Sequence, residues 1–80
     1  MSDSQTTLQV SFGNVLREKR QKAGLSQEKL ALESGLDRTF ISMLERGMRQ
    51  PTLATLFTIA GSLEVRPSTL IAAVESEMGS

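Results

Sequence analysis

The sequence predicts an all-α fold, a compact bundle of five short helices. Three observations support this: apolar residues recur at helical spacing, glycines and prolines separate the periodic segments, and strand signals are weak. Aromatic residues make up 4% of the chain, and no Asn-Gly or Asp-Gly pair marks a hairpin. Eighty residues are enough for one domain with a small core.

The first helix is predicted from about Val10 to Lys22 or Ala23. The first seven residues are mostly polar, and residues 1–8 are expected to form a flexible N-terminal tail, so the folded domain spans residues 9–80. Gly24 ends the helix with a left-handed cap. Its inner face carries the side chains that recur at helical spacing: Phe12, Val15 and Leu16.

The second and third helices are short, and each has a cap signal at its start. Ser26 precedes the second helix, over residues 27–34, and Asp37 precedes the third, over residues 38–46. Gly35 and Gly47 end them. Leu30 and Ala31 of the second helix, and Ile41 and Leu44 of the third, are expected in the core.

The fourth and fifth helices complete the bundle. Thr52 caps the fourth, over residues 53–62, and Pro67 suits the first position of the fifth, which ends near Glu77. The inner stripe of the fourth helix is predicted from five residues at a 3.6-residue period: Leu53, Leu56, Ile59, Ala60 and Leu63.

The second and third helices have the spacing of a helix-turn-helix, with a tight turn over residues 35–37. Since Ile41 and Leu44 face the core, the other side of the third helix must be exposed. That side carries the candidate base-contacting residues: Arg38, Thr39, Ser42 and Met43. Arginine has the shape to contact guanine O6 and N7, while a Thr methyl or a Met packs on a thymine methyl.

Charge is distributed unevenly although the net charge is zero. Residues 17–49 hold eight basic and five acidic side chains, and the acidic excess lies towards the two ends. A basic segment in a neutral chain is typical of a protein that binds DNA with one face. The alternative is an ordinary mixed, solvated surface.

A linked series of motifs resembles the Cro and cI-type helix-turn-helix family. The motifs are GLSQEKLA from Gly24, SGLDRTFIS from Ser34 and LERG from Leu44. The segment from Ser34 to Gly47 is most similar to the controller proteins of bacterial restriction–modification systems. The resemblance extends from about Phe12 to Val74. It implies a lambda repressor-like domain that dimerises and places its third helix in the major groove.

The resemblance also implies roles for individual residues. The four outer residues of the third helix match positions that contact bases. Four others match positions that contact phosphate: Gln27, Arg46, Gly47 and Arg49. Arg20 and Glu45 match an ion pair that joins the first helix to the third.

The fifth helix is expected to form the interface of a dimer. Leu70, Ile71 and Val74 exceed what one side of a small bundle can cover, and Phe57 points away from the inner stripe of the fourth helix. Together these four residues suggest a self-complementary face. The alternative is that they close the core of the single chain. In a dimer, the two recognition helices would enter successive major grooves about 34 Å apart.

These features predict a DNA-binding transcription regulator that acts as a homodimer on a near-palindromic operator. The alternative is an antitoxin that neutralises a toxin, with either Leu32 or the tail around Leu8 and Val10 as the partner surface. The chain lacks histidine and cysteine, which argues against an enzyme and against the usual zinc sites. We expect no cofactor, small-molecule ligand or membrane partner, and a cytoplasmic bacterial protein that joins the nucleoid when bound to DNA.

Overall fold

The computed structural model describes residues 3–79, with side chains described from residue 7 onward. Every regular element in this range is a helix, and turns connect the helices, which confirms the all-α prediction. Five helices follow in order: α1 (Asp3–Lys22), α2 (Gln27–Ser34), α3 (Arg38–Glu45), α4 (Leu53–Leu63) and α5 (Pro67–Gly79). None of these helices is both long enough and apolar enough to cross a membrane.

The predicted N-caps begin α2, α3 and α4. The hydroxyl of Ser26 accepts a hydrogen bond from the N–H of Lys29 at 3.0 Å. Thr52 accepts one from the N–H of Thr55 at 3.1 Å, and Asp37 caps α3 in the same manner. Each cap satisfies a donor that the first helical turn cannot satisfy internally.

The turn between α2 and α3 depends on Gly35. Its φ of 69° lies in the left-handed region, where a Cβ would be strained. The next residue, Leu36, donates its N–H to the carbonyl of Ala31 at 2.9 Å and packs against the core. The tight turn therefore fixes the angle at which α3 leaves α2.

The first helix is longer than predicted. It begins at Asp3 rather than near Val10, so residues 3–8, which were expected to form a tail, are helical. Met1 and Ser2 lie outside the described residues. No glycine or proline interrupts residues 3–12. The first turns of α1 therefore continue the helix that the apolar residues from Phe12 onward fix against the core.

All five helices contribute to the core. The buried apolar residues are Phe12, Val15, Leu16, Leu30, Ala31, Ile41, Leu44, Ile59, Ala60, Leu63, Leu70 and Val74. The predicted stripe of α4 is wrong at Leu53, which is 69% exposed. The buried residues of α4 all lie in its second half, and Leu53 is its first residue.

The fifth helix closes the core of the single chain. Leu70 is completely buried and Val74 nearly so. The expectation that these two residues form a dimer face is therefore wrong, because their side chains are already covered by their own chain. Phe57 and Ile71 remain 56% and 46% exposed, so their own chain leaves both free to contact a partner.

Candidate nucleic-acid interface

The third helix presents a polar face opposite a completely buried one. Ile41 and Leu44 have no exposed surface, so they fix the helix against the core. Arg38 and Thr39 begin the helix and are exposed. An arginine on a rigidly held helix face can make bidentate contact with a guanine edge, which a flexible loop would do less well.

Ser42 and Met43 continue this face one turn further along. Both are half-buried, at the edges of the exposed surface rather than at its centre. The four predicted base-contacting residues therefore share one side of α3, with the charged group nearest its N-terminus. The face combines a charged, two hydroxyl and one thioether side chain.

Gln27 is the first residue of α2, and its side chain is engaged within the protein. Its Nε2 donates a hydrogen bond to Oε1 of Glu45 at 3.0 Å. Among the described residues, the backbone N–H groups of Gln27 and Glu28 have no acceptor, as is usual in the first turn of a helix. Free donors at this end of α2 favour an anion, and the phosphate contact of Gln27 stays a prediction.

The backbone N–H of Gly47, in the turn after α3, is already used within the protein. Gly47 donates its N–H to the carbonyl of Leu44 at 3.1 Å, and a Cβ on Gly47 would lie 3.1 Å from Cα of Val10. Its φ of 73° again favours glycine. Gly47 therefore allows α1 to approach the turn, and its predicted phosphate contact lacks a free N–H.

Two arginines flank this turn. Arg46 is exposed, and its Nε lies 3.4 Å from the carbonyl oxygen of Ser42 in its own helix. The guanidinium carbon of Arg49 lies 5.5 Å from the centre of the Phe40 ring. This cation–π contact orients an exposed positive charge beside the recognition helix.

The predicted ion pair between Arg20 and Glu45 is present and has two hydrogen bonds. Nε and Nη2 of Arg20 donate to the two carboxylate oxygens of Glu45 at 2.5 and 3.0 Å. A third donor of Arg20, Nη1, binds the carbonyl of Leu25 at 2.8 Å. One side chain of α1 therefore holds both the end of α3 and the turn that leads into α2.

Arg17 adds a second positive charge to the same carboxylate. Its Nη2 donates to the carbonyl of Glu45 at 2.9 Å, and its Nε lies 3.6 Å from Oε1. Burial alone would raise the pKa of Glu45, but hydrogen bonds from Arg20 and Gln27 and the charges of both arginines outweigh it and lower that pKa. The same hydrogen bond between the two side chains raises the pKa of Arg20, because it favours the charged form of each group.

Sequence reasoning missed three members of this assembly. It did not place Arg17 at the carboxylate of Glu45 or Gly13 against the main chain of Leu44, and it did not link Gln27 to Glu45. A glycine inside a predicted helix was the available signal for Gly13, since it often marks close approach of two backbones. Arg17 lies three residues before Arg20, on the same side of α1.

A helix-turn-helix family model matches residues 16–70, which include all of α2, α3 and α4. The chain belongs to the helix-turn-helix family. Control protein C.MunI of a Mycoplasma species is 37% identical to it over 71 residues, which cover 88% of this chain and 96% of C.MunI. This helix-turn-helix protein is a DNA-binding transcription regulator and not an enzyme.

Solved structures of controller proteins share the fold. The restriction–modification controller protein C.AhdI from Aeromonas hydrophila has a TM-score of 0.74 and 46% identity, covering 76% of this chain and 92% of that one. The C.Esp1396I tetramer, in complex with its natural 35 base-pair operator, has a TM-score of 0.83 and 34% identity. That match covers 91% of this chain and 96% of the other.

Proposed function

We propose that this protein is a sequence-specific regulator of the restriction–modification controller type, which binds a near-palindromic operator as a homodimer. The observation that carries the proposal is the geometry of α3: its inner face is completely buried, and Arg38 and Thr39 stand exposed on the other. A polar face on a rigid helix with a basic residue at its start is suited to base contact.

Specific contact is assigned to four residues of α3, with different tasks. Arg38 contacts a guanine through its planar guanidinium, and Thr39 and Met43 pack against thymine methyl groups. Ser42 lies at the edge of the face and donates or accepts one hydrogen bond. Arg38 is the residue whose loss removes the most discrimination, since a bidentate contact is worth about 1–3 kcal/mol.

Phosphate contacts are assigned to the ends of two helices. Gln27 binds a phosphate at the start of α2, where free backbone N–H groups add to its amide. Arg46 and Arg49 bind phosphates of the adjacent DNA strand from the end of α3 and the turn that follows it. Contacts of this kind fix the protein on the duplex without carrying sequence information themselves.

The dimer face is assigned to exposed apolar residues of α4 and α5. Leu53 and Phe57 are four residues apart and therefore lie on one side of α4, and Ile71 is exposed on α5. Covering these three large apolar side chains with a second copy of the chain is favourable, because it removes apolar surface from water. On a near-palindromic operator, the α3 helices of the two chains would enter successive major grooves about 34 Å apart, one turn of DNA.

C.MunI and the C.Esp1396I tetramer match nearly the whole of this chain and of their own, which favours the regulator over the antitoxin hypothesis. Regulation then follows protein concentration, because the dimer equilibrium sets how much protein can bind. We propose that the protein acts in the bacterial cytoplasm and joins the nucleoid when it binds its operator.

A gel-shift of the purified protein on DNA from upstream of its own gene tests this function. We expect a discrete complex at nanomolar protein that persists in excess nonspecific competitor and contains two chains per site. Loss of the complex in competitor would contradict the proposal, and a pull-down for a protein partner would then test the antitoxin hypothesis.

A further inference from the structure

Glu45 is a buried carboxylate in an electrostatically unfavourable place. It is the last residue of α3 and only 2% exposed, at the end of a helix where the dipole disfavours negative charge. It persists there because two arginines and one glutamine contact it. A buried carboxylate has more acceptor positions than Arg20 alone can fill, and the amide of Gln27 fills one of them.

The chemistry of the two groups fixes the orientation of Gln27. An ionised carboxylate only accepts hydrogen bonds, and its pKa is lowered here, so the amide must turn its NH₂ group towards Glu45. The contact is 3.0 Å from Nε2 to Oε1. Nε2 carries two hydrogens, and among the described residues only Glu45 accepts one. The second hydrogen remains available.

We infer that Glu45 is a positioning residue for operator binding: it orients the amide of Gln27 so that its second N–H binds a DNA phosphate. This inference rests on the proposed function and deepens it. The same carboxylate holds Arg20 of α1, so the recognition helix, the start of α2 and the end of α1 approach the duplex as one rigid unit. Preorganisation of this kind lowers the entropy lost on binding.

The inference predicts an effect opposite to that of simple electrostatics. Glu45→Gln removes a negative charge near the DNA, so long-range attraction alone would tighten binding to any duplex. If Glu45 positions Gln27, the variant instead binds the operator more weakly while its affinity for nonspecific DNA stays the same or rises. The decisive quantity is the ratio of operator to nonspecific affinity, measured where circular dichroism shows both proteins to be folded.

A double-mutant cycle separates positioning from a merely structural role. Gln27→Ala should weaken operator binding about tenfold in the wild-type background. The same change should cost less than about threefold in Glu45→Gln, since an amide at position 45 can donate as well as accept and no longer fixes which end of the Gln27 amide faces the DNA. Thr39→Ala is the matched control: it lies on the DNA-facing side but does not contact Glu45, so its effect should be equal in both backgrounds.

A second measurement covers the case in which Glu45→Gln does not fold. In the wild-type protein, the two side-chain amide protons of Gln27, assigned through Gln27→Ala, should give separate NMR resonances. One should be protected from exchange in the free protein, and the other should become protected on addition of operator. Two protons that exchange at the rate of a free glutamine, both with and without operator, would overturn the inference.

The remaining outcomes are distinct. Equal losses from Gln27→Ala in both backgrounds would overturn the positioning role and leave the proposed function intact. A wild-type protein that does not distinguish operator from scrambled DNA would overturn the proposed function, and with it the inference.

Discussion

Gly13 of α1 lies directly against the main chain of Leu44 in α3. A Cβ on Gly13 would be 2.5 Å from the carbonyl oxygen of Leu44 and 2.7 Å from that of Glu45. The two helices therefore meet backbone to backbone at this point. Their close approach brings Arg17 and Arg20, one and two turns further along α1, within reach of the Glu45 carboxylate.

Gly13→Ala should destabilise the protein although alanine is the better helix former. The added methyl would displace backbone atoms rather than a flexible side chain, at a cost of about 1–3 kcal/mol. Gly61→Ala is the matched control, because a Cβ there meets nothing within 4 Å and should stabilise α4 by about 0.5–1 kcal/mol. Urea unfolding measures the change in unfolding free energy of each variant. Midpoints that shift equally and in the same direction in both variants would contradict the close contact at Gly13.

The stability of the protein should depend on the ionisation of Glu45. Its pKa is lowered in the folded state, so the unfolded chain takes up the proton first, at about pH 4.3. The stabilisation is thus complete above that pH and is lost as the pH falls through the folded pKa. Glu45→Gln should be less stable at pH 7 by about 3 kcal/mol or more, since Arg20 loses its buried partner.

The difference in unfolding free energy between wild type and Glu45→Gln should narrow as the pH falls from about 5 to 3. Chemical unfolding at a series of pH values, performed in parallel on both proteins, isolates the contribution of this one group. A difference that widens towards acid would mean that burial, not the arginines, dominates the pKa of Glu45.

Glu64→Gly should stabilise the protein. Glu64 follows α4 with a φ of 60°, a conformation that costs a side-chain-bearing residue about 1 kcal/mol relative to glycine. Glu64→Ala removes the same charge but keeps a Cβ, so it should bring no comparable gain. A thermal midpoint that rises equally in both variants would assign the effect to charge rather than to the backbone.

Ile71→Glu should shift the protein from dimer to monomer, because it places a charge in the face assigned to the partner chain. Leu32→Glu is the control, since Leu32 is 76% exposed on α2, outside that face. Sedimentation equilibrium distinguishes the two outcomes. An unaltered dimer in Ile71→Glu would place the interface elsewhere on the surface.

The local signals in the sequence predict the helices well but not their mutual contacts. Ser26, Asp37 and Thr52 cap helices because each interaction spans only two or three residues. The start of α1 lies earlier than the sequence predicts, because residues 3–9 have little apolar pattern to mark them as helical.

The candidate site divides in the same way. The outer face of α3 could be predicted, because burial of Ile41 and Leu44 leaves the opposite residues exposed. The link from Gln27 to Glu45 joins residues 18 apart, and no spacing rule predicts which side chains meet across two helices. Leu70 has the same apolar character as Ile71, and only the three-dimensional packing shows which one the core covers.

The assignment of α3 as the recognition helix is tested most directly by the affinity of Arg38→Ala for the operator and for a scrambled duplex. Both affinities are measured by fluorescence anisotropy at one salt concentration. Arg66→Ala, which removes the same charge from the turn before α5, is the control. We predict that Arg38→Ala loses about 10–100-fold in operator affinity, with little change on scrambled DNA, while Arg66→Ala keeps its discrimination. An Arg38→Ala protein that discriminates as well as wild type would contradict the assignment of α3 as the recognition helix.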